Sequence, residues 1–149
     1  MGTLEDPQEL RRVLLTARRL AVLGAHSEPA RAAFYVPDYL SRHGYTVIPV
    51  NPRLVGTTLF GEPVRSSLAE VGEVDAVVVF RRASELPGHL EEILSMAPPP
   101  RVVWLQLGIV HRGFTGALLA AGFEVVEDRC MLQDHRLLLA DALPAELAR

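Results

Sequence analysis

Three short stretches of this 149-residue chain carry residue types suited to holding an anion, and each follows a run of apolar residues. Gly24, Ala25, His26 and Ser27 follow the first run, Asn51, Pro52 and Arg53 the second, and Arg81 and Arg82 the third. Glycine permits a tight turn and alanine lets a ligand approach the backbone. Ser27 is placed either to cap a following helix or to donate to a phosphate oxygen. Free amides at a helix start attract anions through hydrogen bonds and the helix dipole. Yet His26 and Pro29 stand where a dinucleotide fingerprint would continue with glycines, so a plain strand-to-helix turn explains "GAHSEP" equally well.

The second stretch discriminates better. An NAD site places Asp or Glu after its second strand, to accept hydrogen bonds from the ribose diol. This chain reads "VNPR" there, and Arg53 pairs with a phosphate where a carboxylate would repel it. A phosphorylated adenosine follows, either NADP with its 2′-phosphate or coenzyme A with its 3′-phosphate. Arg81 and Arg82 beside the first turn add to the case for an anion site.

Other chemistries are excluded or weak. All fifteen basic residues are arginine, so there is no lysine for a Walker A loop or a Schiff base. The net charge of −3 argues against binding nucleic acid through bulk positive potential. No apolar stretch suits a bilayer, "MGTLEDPQEL" lacks signal-peptide character, and one cysteine, Cys130, fits a reducing compartment. A cytoplasmic protein is expected. Cys130 and His135, with Asp134 as a third, make a poor metal site; a buried thiol beside a loop histidine is the expectation. Trp104 reads as core, His111 as a helix cap or solvated residue, and His43, His89, Glu91 and Glu92 as surface helix residues.

These residues must be positioned by strands alternating with helices. Helical patterns are expected over 7–19, 30–44, 85–96 and 114–122, and strands over 20–24, 45–50, 74–80, 101–108 and 123–128. Pro37 kinks or restarts the second helix, and Gly44 ends it. A long loop with a short edge strand near Pro63 to Arg65 follows the second strand, and from Asp128 onward a turn and short helix are expected. The order predicts an α/β fold, a doubly wound, mostly parallel, Rossmann-like sheet in a single three-layer domain over 1–149. Ligands of such sheets bind at the carboxyl ends of the strands, where strand order reverses.

The chain resembles the small single-domain CoA-binding proteins, which are similar to the nucleotide-binding domain of the succinyl-CoA synthetase α subunit. The matching stretches run in order through nearly the whole chain: "VLGAHSEPARAAFYVPDYL", "GYTVIPVNPRLVGTTLFGEPVRSSL", "VDAVVVFRRASELPGHLEEIL", "VWLQLGI" and "AGFEVVEDRCMLQDH". The resemblance implies that coenzyme A or an acyl-CoA is bound without catalytic machinery in this chain. It sets Gly24, Ala25, His26 and Ser27, with Arg31, at the diphosphate and Val50, Asn51, Pro52 and Arg53 near the adenosine. Phe80, Arg81, Gln106, Leu107 and Gly108 lie along the adenine and pantetheine side. The chain departs from the family at Ala83 and Ala32, where proline is common. It also has neither the synthetase's phosphorylated histidine domain nor its ATP-grasp subunit, so the ligase reaction is not implied. The alternatives are an NADP-dependent oxidoreductase subunit, or an interaction subunit with a vestigial pocket. A homo-oligomer or a further protein partner is compatible with each.

Overall fold

Alternate residues of the apolar runs face opposite sides of one sheet, and each side is covered by helices. The computed structural model describes residues 2–139. Five parallel strands, β1 (Arg19–Leu23), β2 (Thr46–Val50), β5 (Ala76–Val79), β6 (Val102–Leu105) and β7 (Glu124–Val126), lie in the order β2-β1-β5-β6-β7. Leu20, Val22, Val78, Val102 and Trp104 face one side, together with Leu10, Leu14, Val36, Leu40 and Met131. These come from α1 (Pro7–Thr16), α2 (Ala32–Ser41) and α5 (Met131–Leu139). Ala21, Leu23, Val77, Val79, Val103 and Leu105 face the other, against Ile93 of α3 (Pro87–Leu94) and Phe114 and Leu118 of α4 (Arg112–Ala120). Strands covered on both faces explain the unbroken hydrophobicity of "AVVV" and "VVWL". The α/β doubly wound expectation holds.

The chain grows outward from β1 in two directions: first to β2, then back past β1 to β5, β6 and β7. That reversal sits between β1 and β5, aligned Leu20 to Ala76 through Leu23 to Val79. β2 is an edge strand, which is why Pro49 is tolerated within it. The edge is partly covered: the Arg65 amide donates to the Pro49 carbonyl and the Asn51 amide to the Arg65 carbonyl, both at 2.9 Å.

Some local readings change. The long loop after β2 contains a hairpin, β3 (Thr58–Leu59) and β4 (Glu62–Pro63), turned by Phe60 and Gly61 at φ of 56° and 82°. A positive φ at both central positions is the twist that tight hairpins need. α1 ends at Thr16 and α2 starts only at Ala32, two residues after the expected point. Pro37 lies inside α2 and lacks an amide hydrogen for the Ala33 carbonyl; the His26 amide donates to that carbonyl instead, at 3.2 Å. The helix expected after Asp128 is α5; residues 140–149 of that reading lie outside the described residues.

Candidate functional site

β1 ends at Leu23, and Gly24 turns the chain at φ 90°, its amide donating to the Val50 carbonyl at 3.0 Å. A Cβ built there would lie 2.7 Å from the Phe80 carbonyl oxygen and 2.9 Å from Arg81 Cδ. Glycine is therefore required by the protein's own backbone, whether or not a ligand is present. A valine at position 24 collides with the Phe80 carbonyl, just beyond β5.

Next to this turn, the Asn51 side chain donates to the Ala25 carbonyl at 2.8 Å and accepts from the Arg53 amide at 2.9 Å. One asparagine thus fixes the loops after β1 and β2 to each other and turns Pro52–Leu54 into a short 3-10 segment. The His26 ring accepts from the Glu28 amide through Nδ1, at 3.0 Å. These contacts build the end of a cavity of about 600 Å³ at the β1/β5 reversal. Seven expected residues line it: Gly24, His26, Val50, Asn51, Pro52, Arg53 and Arg81.

The others lie outside that lining. Ala25 is buried, and Ser27 and Arg31 are exposed on the loop leading to α2. Ser27 caps no helix, because Arg31 is the N-cap of α2 and no side chain bonds to its first amides. Phe80 packs against the α1/α2/α5 side of the core. Gln106 is buried at the end of β6, its Oε1 accepting from the Met131 amide at 3.3 Å where α5 begins. Leu107 is exposed, and the Gly108 amide donates to Asp128 at 2.7 Å.

Arg82, also expected beside the first turn, lines the cavity too, whereas sequence reading missed Ser66, Ser67, Glu85, His89 and Glu92. Ser66 donates through its amide and hydroxyl to Glu70, holding that carboxyl below the usual range. Glu85 pairs with Arg81 at 3.2 Å, and Glu92 accepts from His89 Nδ1 at 2.6 Å. Arg53 and Arg82 make no ion pair among the described residues. Arg81 Nε is shielded from solvent and has no acceptor. A buried N–H without a partner is unusual and is satisfied by any ligand oxygen that reaches it. The lining can therefore hold an anion at the strand ends through two unpaired guanidiniums and this one orphan donor.

The remaining titratable residues are accounted for elsewhere. His111 caps α4, accepting from the Phe114 amide at 3.0 Å, and Trp104 donates to the Arg129 carbonyl at 2.9 Å from within the core. Arg129 forks onto buried Asp134 at 2.6 and 2.9 Å, which leaves no carboxylate for a metal, and no metal-binding group of His, Cys, Asp or Glu occurs among the described residues. His135 lies in a helix rather than a loop, 2.8 Å from the Tyr39 hydroxyl and edge-on to Tyr39, His43 and Tyr45. Burial, then the neighbouring His43 and Arg18, pushes its pKa down to about 4. Cys130 is buried just before that helix. No helix among the described residues is long and apolar enough to cross a membrane.

The family described as CoA binding domain matches residues 18–136. The uncharacterized protein YneT of Bacillus subtilis (strain 168) is 36% identical over 128 residues, spanning 85% of this chain and 92% of that protein. Among solved structures, the cell-free ID.343 protein of Thermus thermophilus is 50% identical with a TM-score of 0.86, over 90% of this chain and 99% of that one. A hypothetical protein from Pyrococcus horikoshii OT3 is 28% identical with a TM-score of 0.83, over 91% and 93%.

Proposed function

Because the chain belongs to the CoA-binding domain family, we propose that it binds coenzyme A or an acyl-CoA across the carboxyl ends of β1, β2 and β5, and that it acts as a binding module. The observation that carries this reading is the presence of two guanidiniums without an ion pair among the described residues, Arg53 and Arg82, in one cavity at the strand ends. Anionic oxygens supply what both groups lack. In this arrangement the diphosphate lies over the Gly24 turn, towards the first turn of α2, which has no side-chain cap. Arg53, after β2, pairs with the 3′-phosphate. Asn51 and Arg53 stand where an NAD site needs a carboxylate, so NAD binds weakly or not at all. Ala25, Ser27 and Arg31 flank the diphosphate, and Phe80, Gln106, Leu107 and Gly108 lie along the adenine and pantetheine side.

The test is calorimetric titration of the full chain with CoA, dephospho-CoA, NADP and NAD, alongside mass spectrometry of ligand released from freshly purified protein. CoA is expected to bind roughly ten- to hundredfold more tightly than dephospho-CoA, the range of a charge-assisted hydrogen bond. Equal affinities would remove the 3′-phosphate contact. Saturable NADP binding that CoA fails to displace would favour the oxidoreductase alternative.

A further inference from the structure

The cavity is chemically lopsided. The strand ends contribute Gly24, Arg53, Arg81 and Arg82 to its lining; α3 contributes His89 and Glu92, beside Ser66 and Ser67. At 2.6 Å from a carboxylate oxygen, His89 Nδ1 must be the donor, because an ionised carboxylate only accepts. Glu92 keeps a second oxygen free to accept. That acceptor is held by His89, half-buried, where α3 lines the cavity.

Phosphate oxygens are acceptors too, and are repelled there. What this end takes is a neutral group with N–H donors. Beyond Glu92 the wall continues into a smaller hollow of about 340 Å³ over Leu68, Ala69, Gly72 and Met96, an apolar floor suited to a flat ring. We infer that the His89–Glu92 pair is the base-reading end of the site, accepting the exocyclic amine of adenine and so selecting adenine over bases with a carbonyl at that position. This rests on the CoA reading and gives it a direction. The adenosine points down α3, the phosphates lie against Arg53 and Arg81, and the pantetheine arm leaves the other way, across the end of β5 towards β6.

Calorimetric titration of the full chain with 3′,5′-adenosine bisphosphate and 3′,5′-inosine bisphosphate tests this, since inosine replaces the amine by a carbonyl oxygen. The wild type is expected to favour the adenosine compound roughly ten- to hundredfold. In Glu92→Gln, whose amide can also donate to a carbonyl, the preference is expected to fall close to unity while the sum of phosphate contacts is kept. His89→Phe, which frees Glu92 to rotate, should weaken the preference without abolishing it. Equal wild-type affinity for the two compounds, or a preference unchanged in Glu92→Gln, overturns the inference while leaving CoA binding intact. A wild type that binds neither compound nor CoA overturns the parent reading instead.

Discussion

Arg81 Nε in the strand-end cavity and His135 Nε2 between α2 and α5 are both buried without a hydrogen-bond partner among the described residues, for opposite reasons. Arg81 carries a permanent charge, stands over an open cavity and has further guanidiniums for neighbours. His135 is enclosed by the rings of Tyr39, His43 and Tyr45 and can shed its charge. Burial pushes the neighbouring Tyr45 up to about 12, and that hydroxyl donates to the Leu14 carbonyl, so Tyr45 stays neutral beside it. An orphan polar atom by itself therefore does not mark a site. What marks one is an orphan on a group that cannot neutralise itself, beside a cavity lined by guanidiniums without ion pairs.

Substitutions that separate fold from binding sharpen the contrast. The largest effect is expected at Gly24. Its substitution by valine combines a positive φ with a Cβ at 2.7 Å from a strand carbonyl, and should destabilise by roughly 3 kcal/mol or more in urea unfolding. Gly108 has φ 85° but open space around it, so Gly108→Ala should lose only about 1 kcal/mol. Equal losses at the two glycines would mean that the β1–β5 contact is not tight.

Arg81→Met keeps much of the aliphatic stem and removes the orphan donor. CoA affinity should fall by about 1.5–3 kcal/mol, with the unfolding midpoint nearly unchanged. A midpoint that drops while affinity stays would move Arg81 from the site to the scaffold. His135→Phe should do the reverse of Arg81→Met. The folded His135 resists protonation down to about pH 4, whereas the unfolded chain takes the proton near the usual 6.5. Wild-type stability is thus complete above the unfolded value and falls as pH drops from about 6.5 towards 4, on the order of 2 kcal/mol in total. The variant should flatten that slope and leave CoA affinity as it was. A slope of the same size in both proteins would assign it to other groups.

The sheet was legible because its central strands are apolar without interruption, and runs such as "AVVV" permit little else. Gly24, Arg53 and Arg81 were legible for a related reason, since a strand end fixes where the next residues lie. His89 and Glu92 were not. Their spacing shows only that they share a face of α3, and whether that face meets solvent or a cavity depends on the segment around Ser66 and Leu68 packing opposite it. Gln106 looked free because the segment that claims its side chain, the start of α5, carried a weak local signal. The late start of α2 was hidden as well: Pro29 and the extended Arg31 hold the chain open for two residues longer than apolar spacing suggests.

Pro37 ties the loop after β1 to the middle of α2, because its missing amide frees the Ala33 carbonyl for His26. The loop cannot swing open without giving up that bond, and no helix amide is waiting to replace it. A ligand arriving at the Gly24 turn therefore meets a surface already held in shape, and little chain entropy remains to be lost on association. A residue usually regarded as a helix defect here acts as a latch, shifting the freedom that binding would otherwise remove into the folding reaction itself.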